Sequence, residues 1–135
     1  MLVTKQFGGL AVKKFHEVVT LSTAGATTNV GLTPGGVVLH AAVRVATEIA
    51  GLDSNNHAVN LGVSGTADKY CDVPHGSSAT TIAKNKKGHY AFDPEVGVEA
   101  SALILTIDGG SDNTPSAGAV EVEVVYQVSL DLADD

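Results

Sequence analysis

The sequence predicts an all-β protein, a single antiparallel β-sandwich or jelly-roll-like barrel of about eight strands. Short segments in which apolar and polar residues alternate recur about every 8 to 15 residues, and turn residues separate them. No window of ten residues has the spacing of an amphipathic helix. The apolar residues make up 44% of the chain and the aromatic residues only 4%, which favours a core of small β-branched and aliphatic side chains.

The clearest strand covers residues 36–49, GVVLHAAVRVATEI. Its odd positions form an apolar series, and polar residues fall between them, so one face is predicted to be buried. The predicted buried series is Val37, Leu39, Ala41, Val43, Val45, Thr47 and Ile49, and the polar residues between are His40, Arg44 and Glu48.

A second strand of the same kind covers residues 119–130. Apolar and polar side chains alternate along it, which again predicts one buried and one outward face. The apolar face carries Val120, Val122, Val124, Tyr126, Val128 and Leu130, and the other face carries Glu121, Glu123, Gln127 and Ser129.

Weaker patterns predict the first part of the sheet framework. Residues 10–22 read as a strand whose mixed alternation indicates a bulge or a sheet edge. A small-residue turn follows at 23–28, and then a short strand at 29–32. Pro34 and Gly35 suit the centre of a type II turn, because Pro presets φ and Gly accepts a positive φ.

The remaining strands lie between residues 58 and 107. The segment 58–64 alternates with Val59, Leu61 and Val63 on one side and leads into a turn at 65–68. Three short strands follow at 70–73, 80–84 and 89–92, and an apolar strand at 102–107 is predicted to be buried on both faces. Residues 108–118 form a loop rich in Gly, Ser, Asn and Pro.

These segments predict one domain in 135 residues, which is enough chain for a single core. The sandwich is assigned to residues 10–131, preceded by an N-terminal arm at 1–9 and followed by an acidic tail at 132–135. Subunit contacts supplement a core of such small side chains in many assembled β-proteins.

Charge and cysteine content narrow the possible partners. A formal net charge of −7 with eight basic residues argues against binding nucleic acid, which depends on Lys and Arg. The cluster Lys84, Lys86 and Lys87 reads as a solvated turn. Cys71 is the only cysteine, so no intrachain disulfide is expected and synthesis in a reducing cytoplasm is indicated. Neither a secretory signal nor an apolar run long enough to span a membrane is expected.

The chemical motifs are weak, and we expect no catalytic, cofactor-binding or metal-binding residues. Cys71, His75 and His89 resemble a fragment of a zinc site or a Cys/His nucleophile pair, but zinc takes three or four ligands in recognisable pairs. Asp68 and Asp72 are carboxylates on one parity of a short strand, which does not give the separation across a cleft that glycoside hydrolysis needs.

The loop at 108–114, DGGSDNT, offers oxygen ligands of the kind that calcium prefers, but its spacing differs from an EF-hand. A tight solvent-exposed hairpin explains its glycines equally. Calcium binding by this loop is left open at this point.

Four segments taken together resemble a known family: VVLHAAVRVATEIAG, VNLGVSGTADKY, LILTIDGG and PSAGAVEVEVVYQ, in this order. The order of strands and turns is similar to a β-sandwich module of tailed-bacteriophage virion proteins. That module occurs in small capsid-associated proteins and in terminal domains of tail and fibre proteins. The resemblance covers residues 20–127 and includes no catalytic signature.

This resemblance implies a capsid decoration (cement) protein that binds the outer surface of the head and stabilises the shell. The implied partners are the major capsid protein and the chain itself, as a homotrimer at threefold or quasi-threefold positions, with no nucleic acid and no membrane. The implied location is the capsid surface of the virion, after synthesis in the host cytoplasm. Leu2, Val3 and Phe7 of the arm are the expected capsid or subunit contacts.

Two alternatives come from other classes of function. One is a tail-tip or fibre protein that binds a host receptor or carbohydrate, with Tyr70, Tyr90 and Phe92 as the aromatic residues available for stacking on a sugar. The other is a small hydrolase that uses the carboxylates of Asp68 and Asp72 together with Cys71 and His75.

Overall fold

The computed structural model describes residues 10–74 and 79–129, which form nine β-strands and no helix. None of these residues belongs to a helix that is long and apolar enough to cross a membrane. In chain order the strands are β1 (Leu10–Thr20), β2 (Thr27–Asn29), β3 (Gly36–Ala50), β4 (Ala58–Val63), β5 (Thr66–Pro74), β6 (Lys87–Ala91), β7 (Val98–Glu99), β8 (Ile104–Asp108) and β9 (Ala117–Ser129).

The strands form two antiparallel sheets. The five-stranded sheet has the order β1-β9-β3-β6, and the short β7 also pairs with β3. The four-stranded sheet has the order β2-β8-β4-β5. Their inner faces pack on a shared apolar core, so the predicted β-sandwich is confirmed.

Valine, leucine and isoleucine side chains from both sheets fill the core. Burying each such side chain contributes about 1.5–3 kcal/mol, so many small contributions replace a few large aromatic ones. Val120, Val122 and Val124 of β9 are fully buried, as the alternation predicted, and so are Val59 and Leu61 of β4.

Strand β3 departs from its simple alternation because its pairing with β9 is interrupted by register shifts. One lies between Val38 and His40, and two more lie on either side of Thr47. A β-bulge adds a residue to one strand and reverses which parity faces the core. Val38 is therefore buried, and the placement of Val37, Leu39 and Thr47 in the core was wrong.

Several boundaries also differ from the sequence prediction. Residues 80–84 form no strand, because Ile82 makes only an isolated bridge to Ile49 of β3. Strand β2 begins earlier than the predicted segment 29–32, and β5 begins at Thr66, inside the predicted turn. In β8 only alternate residues are fully buried, so this strand is not buried on both faces.

Strand β1 lies at one edge of the five-stranded sheet among the described strands. The sequence predicted either a bulge or an edge here, and the edge is confirmed. It pairs with β9 in unbroken register from Leu10 to Thr20, so its mixed pattern reflects the edge and not a bulge. The predicted arm at residues 1–9, with Leu2, Val3 and Phe7, lies outside the described residues, as does the acidic tail at 132–135.

Candidate functional site

The face of the five-stranded sheet that points away from the core is the most distinctive surface, and it is called the outer face below. Directly opposed residues of antiparallel strands lie on the same face, so the register sorts this surface into rows that run across the sheet. From β1 through β9 and β3 to β7 or β6, the rows are Val12–Gln127–Val37–Val98, Lys14–Val125–His40–Ala91, His16–Glu123–Ala42–His89 and Val18–Glu121–Arg44–Lys87.

One end of the outer face is apolar. Val98 is 65% exposed beside half-buried Val37, and Val12, which is 62% exposed, lies in the same row beyond Gln127 of β9. Leu10, at the start of β1, is 59% exposed at the same end of the sheet. Several exposed apolar side chains at one end of a sheet are typical of surfaces that contact another protein, whereas isolated ones are common on any protein.

The other end of the outer face is a ladder of ion pairs built on two glutamates of β9. Glu121 lies 2.8 Å from Nε2 of His16 on β1 and accepts a hydrogen bond from Nε of Arg44 on β3, also at 2.8 Å. Glu123 lies 3.2 Å from Nζ of Lys14 and 3.6 Å from Nε2 of His40. Each carboxylate therefore joins one basic side chain of β1 to one of β3.

The ladder favours the ionised form of the Glu121 carboxyl group. Hydrogen bonds from His16 and Arg44 lower the pKa of Glu121, and partial burial opposes them only in part. Arg44 is itself held by Asn85, whose side-chain oxygen accepts a bond of 2.8 Å from Nη1. An anion held this way is a poor general acid, so the arrangement suits recognition and strand alignment better than proton transfer.

An open depression of about 550 Å³ lies over this ladder. Its walls come from β1, β3, β6 and β9 and include His16, Arg44, His89, Glu121 and Glu123. Among residues 10–74 and 79–129, no group of three or more His, Cys, Asp or Glu side chains is arranged to hold a metal ion. The depression thus exposes charged and imidazole groups at the surface of the sheet.

The structure separates the residues of the zinc and hydrolase hypotheses. Cys71 is buried in the core, and burial raises the pKa of its thiol to about 12, so it stays protonated near neutral pH. His89 lies on the outer face of the five-stranded sheet, whereas Cys71 belongs to the four-stranded sheet. Asp68 and Asp72 are exposed on β5, and His75 falls outside the described residues.

The loop proposed for calcium uses its oxygens internally. Asn113 accepts a hydrogen bond from the Gly110 N–H at 3.1 Å, and Asp112 accepts one from the Thr114 N–H at 3.1 Å. The loop is also tied to Asp53, whose carboxylate accepts the Ser111 N–H at 3.0 Å. Burial alone would raise the pKa of the Asp53 carboxyl, but hydrogen bonds from the Ser111 N–H, the Asn55 side chain and the Asp112 N–H lower it below its ordinary value.

Two of the three aromatic residues considered for sugar stacking already contact other residues of the protein. Tyr70 is buried, and its ring contacts that of Tyr90 edge to face with centroids 4.9 Å apart. The Tyr70 hydroxyl donates a hydrogen bond of 2.7 Å to the buried carboxylate of Glu99. Phe92 is 50% exposed, so it alone of these three rings is open to a ligand.

The sequence predicted that Glu121 and Glu123 of β9 face outward, but it did not predict their contacts with β1 and β3. The missing information was the register, since the alternation cannot say which residues of β1 and β3 stand beside β9. The buried Glu99 was missed as well, because β7 has only two residues and carries no periodic signal.

Comparison with solved structures gives an informative match to a phage protein. No family model matches the chain, and no curated protein matches it. A chain of the cyanophage Pam1 capsid asymmetric unit is similar in structure, with a TM-score of 0.54 and 19% sequence identity. The likeness covers 89% of this chain and 86% of that chain. At this identity it concerns the fold, and it extends over nearly the whole length of both chains.

Proposed function

We propose that this chain is a structural virion protein of a tailed bacteriophage, a capsid decoration (cement) protein that binds the outer surface of the head. The observation that carries the proposal is the fold likeness to a chain of a phage capsid asymmetric unit, which includes most of both chains. The order of strands and turns described for the phage virion module supports it independently.

The surface chemistry suits binding to a protein shell. The net charge of −7 disfavours trapping of nucleic acid at the surface. The outer face combines exposed apolar side chains at one end with oriented charges at the other, which is the mixture found in protein–protein interfaces. The buried, protonated thiol of Cys71 and the paired carboxylate of Glu121 make poor nucleophiles or acids, which favours a structural role over the hydrolase.

The proposed mechanism is stabilisation by mass action. A protein that binds the assembled, expanded shell but not its dissociated subunits stabilises the shell by its own binding free energy, repeated at every site. In this proposal the partners are the major capsid protein and two further copies in a homotrimer. The arm at residues 1–9 contacts the shell or a neighbouring copy through Leu2, Val3 and Phe7, while residues 10–131 fold as the sandwich.

Imaging of virions labelled with an antibody against this chain tests the proposal. Label spread over the head supports decoration, and label spacing then tests the threefold placement. Label confined to the tail tip overturns decoration and favours the receptor-binding alternative, for which exposed Phe92 is the structural starting point.

A deletion variant tests the role assigned to the arm. Removing residues 1–9 is expected to weaken binding to purified heads while the melting temperature of the free protein stays nearly unchanged. Removing residues 132–135 is the matched control, since it also shortens a terminus outside the described strands and should leave binding intact. An equal loss of melting temperature and binding on arm deletion would contradict the assignment.

A further inference from the structure

The free edge of β1 has the composition of a self-complementary strand. Among the described residues, β1 pairs with β9 only, so its opposite side is the open edge of the five-stranded sheet. It is also long, with eleven residues from Leu10 to Thr20. An open edge of this length offers backbone N–H and C=O groups to another strand.

We propose that β1 pairs antiparallel with β1 of a second copy across a two-fold axis at Phe15, and so joins two five-stranded sheets into one. Residue numbers of opposed positions then add up to 30, and Phe15 is the midpoint of β1. This register overlaps the whole strand. It also opposes residues of equal parity, so the faces of the two sheets match and the outward-pointing backbone groups of both copies meet.

Charge complementarity selects this register. Lys13 and Glu17 are both exposed, and each Lys13 stands opposite the Glu17 of the other copy. Shifting the sum to 28 or to 32 places Phe15 or Val19 opposite Lys13 and removes both Lys13–Glu17 pairs. Opposite charges that stand directly across an antiparallel pair stabilise it.

Apolar pairs support the same register on the outer face. Val12 and Val18, which are 62% and 58% exposed, are opposed in both halves of the junction. Burial of these exposed side chains between two copies removes apolar surface from water. Lys14 and His16 are also opposed, but each is already paired within its own copy, with Glu123 and Glu121 respectively.

Lysines on an edge strand ordinarily discourage pairing with other strands. Here Lys13 discourages pairing only with a strand that lacks an acidic residue at the matching position. The same residue therefore excludes other strands and admits a second copy. Each copy has one β1 edge, so the pairing joins copies two at a time and would connect neighbouring trimers of the proposed decoration protein.

Cysteine cross-linking of the purified full chain tests the register directly. Val12→Cys and Val18→Cys are made as separate proteins, one with an affinity tag, and mixed under mild oxidation with glutathione disulfide. Opposed residues of antiparallel strands have Cα atoms about 4.5–5.5 Å apart, within the roughly 4.4–6.8 Å that a disulfide spans. We expect a disulfide-linked dimer from the mixture and little from either variant alone.

The matched control mixes Val12→Cys with Lys14→Cys. In the proposed register these positions lie four residues out of alignment, on the order of 13 Å along the strand. Equal cross-linking of this control would indicate random collision and overturn the proposal. Absence of a dimer from the Val12→Cys and Val18→Cys mixture would overturn it as well, provided that circular dichroism shows both variants folded.

Charge reversal gives a second, independent readout. Glu17→Lys is expected to weaken dimerisation in sedimentation equilibrium by roughly tenfold, and the double variant Lys13→Glu/Glu17→Lys to restore it. Within one copy these side chains are four strand positions apart, about 13 Å, so rescue can arise only between copies. A double variant that dimerises no better than Glu17→Lys would refute the pairing. These experiments use no capsids, so their failure leaves the capsid proposal untouched.

Discussion

Replacement of Glu99 by alanine is the most severe test of how the two sheets are joined. Glu99 is 3% exposed on β7. Its carboxylate accepts hydrogen bonds from Lys69 Nζ at 2.7 Å, from the Tyr70 hydroxyl at 2.7 Å and from the Ser101 N–H at 3.1 Å. Its backbone carbonyl accepts the Gly35 N–H at 2.8 Å. One residue of the five-stranded sheet is thus bonded to two neighbours on β5 of the other sheet.

The expected loss follows from those contacts. Without the carboxylate, the buried Tyr70 hydroxyl has lost its acceptor, which costs about 1–3 kcal/mol. Lys69 loses a charge-assisted bond, although its side chain is 27% exposed and can turn toward water. The unsatisfied Tyr70 hydroxyl therefore dominates, and we expect Glu99→Ala to lose roughly 1–3 kcal/mol of the free energy of unfolding.

Urea denaturation followed by circular dichroism measures this loss. Glu95→Ala removes an exposed carboxylate four residues earlier and should change stability by less than about 0.5 kcal/mol. Equal effects of Glu99→Ala and Glu95→Ala would refute the reasoning. It would mean that the buried carboxylate gives no net stabilisation over a small apolar side chain.

The pH dependence of the same site has a definite sign. Burial alone would raise the pKa of Glu99, but the hydrogen bonds from Lys69, Tyr70 and Ser101 lower it below its ordinary value of 4.5. A lowered pKa in the folded state stabilises the fold above the ordinary value, and this stabilisation is lost as pH falls through the folded-state pKa. The stability difference between wild type and Glu99→Gln should therefore narrow from pH 7 to pH 3.5. A difference that widens would contradict this sign.

Three further predictions concern the core and the backbone. Ile49→Ala should cost about 2–5 kcal/mol in urea denaturation, and Ile49→Val about 0.5–1.5, because Ile49 is fully buried. Gly36→Ala should cost roughly 1–3 kcal/mol, since a Cβ there overlaps the Gln127 carbonyl oxygen, whereas Gly25→Ala meets no atom and should be neutral in the same assay. Cys71 should resist a thiol reagent at pH 8 in the native protein and react fully in urea, as its burial and raised pKa require; rapid native labelling would contradict this.

The sequence predicted the fold well where one face of a strand is continuously buried. In β9 the alternation of Val and Glu from Val120 to Val124 corresponds directly to burial, because this strand is paired on both sides and packed on the core. In β4 the apolar positions are buried as predicted, but Asn60 and Gly62 between them are buried as well. In β3 the same reasoning failed around Leu39, where a bulge changes the parity. Bulges depend on how two strands fit together, and no local composition marks them.

The candidate surface was harder to predict for a related reason. Glu121 and Glu123 were correctly placed on the outward face of β9, but their basic partners are separated from them by about a hundred residues or by nearly eighty, as in the pairs His16–Glu121 and Arg44–Glu121. Such pairs are created by strand order, which alternation does not encode. The strand predicted at residues 80–84 was also wrong. Its apolar residues predict a strand, but only Ile82 makes a bridge to another strand.

The outward-facing side chains of the five-stranded sheet carry more information about function than the core side chains do. Inward positions must be small and apolar to fill the core, so they are constrained by packing alone. Outward positions have no such constraint, yet at one end they form the Glu121–Glu123 ladder and at the other they leave Val12 and Val98 exposed, with half-buried Val37 in the same row. The ladder holds the edge strand β1 in register on β9, because each glutamate joins β1 to β3. An edge held in this way stays extended and ordered, as the proposed two-fold pairing requires, so loss of Glu121 should weaken self-association even though Glu121 lies outside the proposed junction.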